Sequence, residues 1–245
     1  MSSNSVPRAE RGAISAAEAY DRWHTGFGAG EDGIGAPWHE LAIEQLPPLE
    51  GLRVLEIGCG RGGFARYLAE RGANVVAADF SPAAVEITNR LLSDQENADA
   101  VVADIEALEF ASDTFDLVIS LDTIEHVPSP KAAVSELVRV AKPGGRIIIT
   151  TNNYLGLIGL WRLAMKVTGF RFTEMGQPIN QPLMLFPRAK LMHELECRVD
   201  VVDGRGHYLR VPRYQLGYLR LGFLEHPHAL TKHFGTHRLV VATKS

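Results

Sequence analysis

Cysteine is scarce: Cys59 and Cys197 are the two thiols in 245 residues. That excludes a disulfide framework and a zinc knuckle, and it fits a reducing compartment. No run of residues reaches the ~18 consecutive apolar positions of a membrane-spanning helix. Basic runs are also missing: Lys and Arg total 25 against 29 acidic residues, for a net charge of −4. This balance argues against a nucleic-acid-binding surface. The opening "MSSNSVPRAERGAIS" lacks the apolar core of a secretory signal, so residues 1–14 are expected to be a disordered leader. No internal repeat is visible, and low complexity is confined to that leader. The expectation is a soluble, cytoplasmic protein, and its apolar fraction of 46% is ordinary for a globular core.

What the chain does contain is alternation. "RVLEI", "NVVAAD", "DAVVA", "FDLVISL" and "GRIIITT" are short and rich in β-branched residues. Between them lie the helical patterns "GGFARYLAERG", "PAAVEITNRLL" and "PKAAVSELVRVAKPGG". Alternation of this kind predicts parallel strands with crossover helices on both faces. Continuous apolar strands fit a sheet buried on both sides. Ahead of the first strand, "AAEAYDRWHTGF" and "WHELAIEQL" read as helices, the second stopped by Pro47 and Pro48. The pattern pauses at Asn152. "RAKLMHELE" then reads as a helix, "RVDVVDG" and "HRLVVAT" as strands, and "RYQLGYLRLG" as a candidate helix. A single domain over 15–245 follows, with an N-terminal helical cover at 15–48 and a lid insertion at 152–187.

The first strand runs into "EIGCGRGG". In an open parallel sheet, ligands bind at the carboxyl ends of strands, and glycines there allow close backbone approach. Gly58, Gly60 and Gly63 satisfy G-x-G-x-x-G, and Asp79 closes the next strand, an arrangement that by itself also fits a dinucleotide site. Two more features bear on the choice. Asp104 closes the third strand in "VVADIEAL", and "LVRVAKPGGRIIIT" sets a Pro-Gly-Gly turn before the fifth.

Together these motifs resemble the class I S-adenosylmethionine-dependent methyltransferases. Glu56, Gly58, Gly60 and Gly62 fill that family's E/D-x-G-x-G-x-G motif. The resemblance implies an α/β fold: a seven-stranded, mostly parallel, Rossmann-like sheet with helices on both faces and the last strand antiparallel. It also implies S-adenosyl-L-methionine as cofactor, with Glu56, Gly58, Cys59, Gly60, Asp79, Phe80, Asp104, Ile105 and Leu121 as cofactor-binding candidates. Asp79 would accept from the ribose hydroxyls, and Phe80 would cover the adenine. Asp104 and the Ile105 backbone would take the adenine edge, and Gly58 and Gly60 the methionine portion.

"DTIEHVPSP" follows the fourth strand and is most similar to the E-x-x-E-H-V-x-x-P stretch of the ubiquinone-pathway O-methyltransferases, with Asp at its first position. Three readings stand for it. Glu125 and His126 organise the loop; or His126, with Asp122, serves the acceptor as base or orienter, its ordinary pKa of ~6.5 suiting that work; or Asp122, Glu125 and His126 hold Mg²⁺. The acceptor is expected to be a small molecule, a hydrophobic one being admissible, methylated at a hydroxyl in preference to nitrogen or carbon. Tyr20, Trp23, His24, Phe27, Trp38 and His39 lie in the N-terminal cover, where ordinary helix packing accounts for at least half of them. "YLGLIGLWRLAMKVTGF", carrying Arg162 and Lys166, reads as a buried lid helix, with weak peripheral membrane contact as the minority reading. His207 and Tyr208 are further candidates for acceptor contact. The rival functions are an NAD(P)-dependent oxidoreductase and a non-catalytic S-adenosylmethionine-binding module.

Overall fold

In the computed structural model, the described residues are 21, 37–152, 197–205, 208–210, 218–220 and 237–245. The runs rich in β-branched residues form β1 (Arg53–Ile57), β2 (Asn74–Asp79), β3 (Ala98–Val102), β4 (Phe115–Leu121) and β5 (Ala141–Asn152). Later come β6 (Cys197–Arg205), β7 (Tyr208–Arg210), β8 (Tyr218–Arg220) and β9 (His237–Lys244). The helices are α1 (Pro37–Ile43), α2 (Gly63–Ala69), α3 (Pro82–Leu91) and α4 (Pro130–Val140). Each of α3 and α4 starts from a serine cap followed by proline at the first helical position: Ser81 accepts from Ala84 N–H and Ser129 from Ala132 N–H.

The main sheet has seven strands in the order β3-β2-β1-β4-β5-β9-β6. Neighbours among β1 to β5 pair in parallel, and β9 runs antiparallel between β5 and β6. This is the mostly parallel sheet with an antiparallel last strand that the resemblance implies. Residues of β4 are buried almost without a break, as expected for a central strand covered on both faces. One face packs Phe64, Ala65 and Leu68 of α2, Val85 of α3 and Ala42 of α1 against Val54, Leu117, Ile119 and Ile148. The other packs Ala133, Val134 and Leu137 of α4 against Leu55, Phe115, Val118 and Ile147. Strand order reverses between β1 and β4, so the crevice of this fold opens at their carboxyl ends.

Two local features depart from the sequence reading. The candidate helix "RYQLGYLRLG" is described only at Tyr218–Arg220, which is β8 and pairs antiparallel with β7. The two Tyr-Leu-Arg triplets pair in register, Leu209 opposite Leu219. Helix α1 also ends earlier than "WHELAIEQL" suggests. Leu46 precedes Pro47, which pushes it out of helical geometry, and the chain closes in tight turns from Gln45 N–H to Ala42 O and from Leu46 N–H to Ile43 O. The leader at 1–14, the first predicted helix apart from Asp21, most of the 152–187 lid and the "RAKLMHELE" helix lie outside the described residues.

The Pro-Gly-Gly turn is absorbed as an irregularity at the start of β5. Phe115 pairs with Ala141 and Leu117 with Arg146, so Lys142–Gly145 loop out of register. A Cβ on Gly145 would sit 2.7 Å from Lys142 O and 3.1 Å from Phe115 O, both backbone atoms that cannot swing aside. Gly144 has φ +75° with open space around it. Gly145→Ala is therefore expected to lower stability by about 2–3 kcal/mol, and Gly144→Ala by about 1 kcal/mol from the left-handed backbone alone. Urea midpoints with unchanged m-values check this order, and equal losses would contradict it.

Candidate functional site

The glycine loop is built by its own backbone and by two polar side chains. Gly58 N–H and Cys59 N–H both donate to Ala78 O, at 2.7 and 3.0 Å, which binds the loop to the end of β2. Gly60 N–H donates to Asp79 Oδ2 at 2.9 Å, and Ser81 N–H donates to Asp79 Oδ1 at 3.0 Å. Thr88 of α3 donates to Gly60 O at 3.1 Å. Gly58 has φ +80°, and any Cβ there would collide with the side chain of Thr123. Gly62 has φ +83°, and a Cβ there would meet Thr88. These two glycines thus serve both the turn and the close approach of neighbouring side chains.

Two carboxyls are buried at this loop. Asp79 is 5% exposed, and burial pushes its pKa up to about 6 against the lowering effect of the Ser81, Gly60 and Phe80 backbone N–H groups. Glu56 is 3% exposed, and burial followed by the charge of Asp79 pushes its pKa up to about 8. Among the described residues Glu56 Oε2 has no hydrogen-bond partner. Among the described residues no cation acts on either carboxyl. A buried carboxyl with nothing to pair with costs free energy unless a ligand supplies the partner.

The remaining candidates divide. Phe80 stands at 36% exposure directly after β2, and Leu121 is buried at the end of β4. Asp104 is exposed after β3, with Oδ1 accepting from Glu106 N–H at 2.9 Å, and Ile105 is buried beside it. Cys59 turns its thiol to Thr88 Oγ1 at 3.8 Å, and burial together with Asp79 and Glu56 raises its pKa well above the usual thiol range. Its N–H and carbonyl are occupied within the turn, so Cys59 holds the loop's shape.

Asp122, Glu125 and His126 follow β4. Asp122 adopts φ +45°, an uncommon conformation for a residue with a side chain. Its N–H donates to Thr150 O at 3.1 Å, and Thr150 Oγ1 donates to Asp122 Oδ1 at 3.4 Å. Glu125 is fully buried and accepts from Thr151 Oγ1 at 2.9 Å, which ties the loop to β5. His126 is largely buried, and burial lowers its pKa while the charge of Asp122 works in the opposite direction. Among the described residues no three metal-ligating side chains come together, and one oxygen of Glu125 accepts from Thr151 inside the fold, so nothing in these residues adds support to the Mg²⁺ reading.

Sequence reasoning missed the two threonines that lock these loops, Thr88 and Thr151. The paired "TT" ending β5 was the available signal, since hydroxyls at a strand end beside an acidic loop have an obvious partner. It also missed Asp21, whose carboxyl accepts from Ser81 Oγ and from Ala83 N–H at the start of α3.

Residues 55–149 match the family described as a methyltransferase domain. A demethylmenaquinone methyltransferase of Clavibacter sepedonicus is 38% identical over 54% of this chain and 52% of its own length. A ubiquinone biosynthesis O-methyltransferase of Alkalilimnicola ehrlichii is 40% identical over 46% of this chain and 47% of its own. For the chloroplastic tocopherol O-methyltransferase of Arabidopsis thaliana the figures are 44%, 40% and 30%. The chain thus spans about half or less of the length of these curated relatives. Among solved structures, an S-adenosylmethionine-dependent methyltransferase of Mesorhizobium loti aligns with TM-score 0.62 at 18% identity, over 86% of this chain and 99% of that one. One from Aquifex aeolicus aligns with TM-score 0.57 at 16% identity, over 84% and 89%. At those identities the likeness is one of fold. Sheet order and glycine loop agree with the methyltransferase domain that residues 55–149 match.

Proposed function

We propose that this chain transfers a methyl group from S-adenosyl-L-methionine to a small, hydrophobic acceptor, at a hydroxyl on an aromatic ring. The observation that carries the reading is the pair of buried carboxyls at the glycine loop, one of them with an orphaned oxygen. S-adenosylmethionine is cationic at its sulfonium and its ammonium and carries no phosphate, so it supplies the charge that Glu56 lacks. Asp79 would suit the ribose of either cofactor, but a pyrophosphate-bridged nicotinamide cofactor would bring negative charge to the glycine loop beside Glu56. That repulsion is the physical objection to the oxidoreductase alternative.

The site's residues fit the cofactor part by part. Asp79 Oδ2 accepts Gly60 N–H and Oδ1 accepts Ser81 N–H, with Phe80 N–H also turned to the carboxylate, and its remaining acceptor capacity is offered to the ribose hydroxyls. Glu56 faces the ammonium, the exposed ring of Phe80 covers the adenine, and Asp104 with Ile105 meets its edge. Leu121 lines the crevice toward the acceptor. When bound, S-adenosylmethionine supplies a methyl group already activated for in-line displacement, so the chain's main task is positioning. Asp122, held in its strained conformation by Thr150, and His126 stand where the acceptor arrives. His126, its pKa lowered by burial, stays neutral near pH 7 and can take the hydroxyl proton. A ring hydroxyl as acceptor is supported by the names of the relatives, two of which are O-methyltransferases of ubiquinone biosynthesis and of tocopherol.

The proposal extends to the rest of the chain: a single domain at 15–245, with 15–48 as a cover and 152–187 as a lid, working in the cytoplasm. Among the described residues no helix is long and apolar enough to cross a membrane. Calorimetry tests the core of the reading. S-adenosylhomocysteine should bind and NAD⁺ should not, and the reverse result would sink the proposal. Binding without methyl transfer to any hydroxylated aromatic would favour the non-catalytic module.

A further inference from the structure

The N-terminal helix α1 brings a second histidine to the Asp122 loop. Helix α1 packs against β4, β5 and β9. From it His39 stacks on Phe64 of α2, with centroids 5.3 Å apart and planes 16° apart, while Trp38 meets it edge-on at 5.8 Å. Phe64 stacks in turn on Tyr67 at 5.8 Å. The plane of the imidazole is therefore held by Phe64 on α2 and by its own neighbour Trp38. Its Nδ1 is shut off from solvent and has no hydrogen-bond partner among the described residues. Burial pushes the pKa of His39 down to about 4, and the charge of Asp122 acts against that fall, which places the two within electrostatic reach. Asp122 acts in the same sense on His126. Two imidazoles with lowered pKa, carried by different elements, thus lie within electrostatic reach of the one carboxylate that follows β4.

An unsatisfied buried polar atom costs about 1–3 kcal/mol. A phenylalanine at position 39 would stack on Phe64 without that cost, so packing alone gives no reason for an imidazole. Cationic chemistry is excluded as well, because a group with a pKa near 4 is neutral wherever the protein is folded near pH 7. What remains is a fixed, neutral hydrogen-bonding atom in an aromatic wall.

We propose that His39 is an acceptor-binding residue whose Nδ1 hydrogen-bonds the hydroxyl of a flat, hydroxylated aromatic acceptor seated beside Asp122 and His126. This deepens the methyltransferase reading and rests on it. The N-terminal helix is then a wall of the acceptor site, and specificity for a ring hydroxyl is shared between α1 and the loop after β4.

The test uses the full chain saturated with S-adenosylhomocysteine at pH 7.5, with catechol as probe. Wild type, His39→Phe and His39→Asn are compared by calorimetry, and the His39 ring nitrogens are followed by ¹⁵N NMR in the wild type. Affinity for S-adenosylhomocysteine should agree within about twofold across the three proteins. Catechol should bind about tenfold more weakly to His39→Phe, and His39→Asn should recover most of the loss, because its Oδ1 occupies the place of Nδ1. The Nδ1 resonance should shift on saturation with catechol. Equal catechol affinity in wild type and His39→Phe, an unmoved Nδ1 resonance, or no catechol binding to the wild-type complex would each overturn the inference while leaving the methyltransferase reading standing. Failure of S-adenosylhomocysteine to bind the wild type would instead remove that reading and this inference with it. The NMR arm decides the matter if the phenylalanine variant does not fold.

Discussion

Replacing Asp79 by asparagine is expected to weaken S-adenosylhomocysteine binding by about a hundredfold, while far-ultraviolet circular dichroism stays that of the wild type. The carboxylate does two things at once. It closes the glycine loop by accepting Gly60 N–H and Ser81 N–H, and its remaining lone pairs are the acceptors offered to a ribose diol. An asparagine has one acceptor oxygen and turns a donor toward one of those two N–H groups, so one loop bond becomes a donor–donor clash. Hydrogen bonds to a charged group are worth about 1.5–3 kcal/mol each, and two are weakened here, which sets the hundredfold scale. Isothermal calorimetry at pH 8, where Asp79 with its pKa of about 6 is ionised, measures it directly. A loss below fivefold would show that Asp79 braces the loop without meeting the ligand.

The sheet was legible because its signals are local and repeated. Runs such as "FDLVISL" are apolar through their whole length, and only a strand covered on both faces tolerates that. Ser81-Pro82 and Ser129-Pro130 announce helix starts through the geometry of cap and proline. The glycine loop was legible for the same reason, since positive φ at Gly58, Gly60 and Gly62 leaves few alternatives to glycine. The acceptor side was harder to read. Glu125 sits in a motif that invites a metal, yet its place is decided by Thr151, which lies far along the chain. His39 looked like one more aromatic on a packing helix. Its significance depends on Phe64 fixing the ring and on Asp122 lying near it, neither of which is encoded in the neighbourhood of residue 39. Contacts between elements distant in sequence decide a side chain's chemistry, and single-sequence patterns do not carry them.

Glu56→Gln should make the free protein more stable and the cofactor site weaker, with both effects growing as pH rises. The folded protein holds Glu56 near pKa 8, against an ordinary value of 4.5. Below about pH 4.5 the group is protonated in both folded and unfolded chains, and it adds no pH-dependent cost. Between there and pH 8 the unfolded chain has lost a proton that the folded chain keeps, so stability falls by about 1.4 kcal/mol per pH unit, levelling off above pH 8. Glutamine removes this slope and adds an amide that must find its own partners, at about 1–2 kcal/mol. The variant should therefore roughly match the wild type at pH 5.5 and exceed it by about 3 kcal/mol at pH 8.5, as read from urea midpoints. S-adenosylhomocysteine reverses the order. Its ammonium gives the ionised Glu56 a counter-charge, so the ligand should raise the melting temperature of the wild type more at pH 8.5 than at pH 6.5, and that of the variant by a smaller, nearly constant amount. Binding to the wild type should also release protons, seen as a dependence of the calorimetric heat on the buffer's ionisation enthalpy. Parallel stability curves for the two proteins, or a proton release that survives the substitution unchanged, would mean that Glu56 is not the group waiting for the cation.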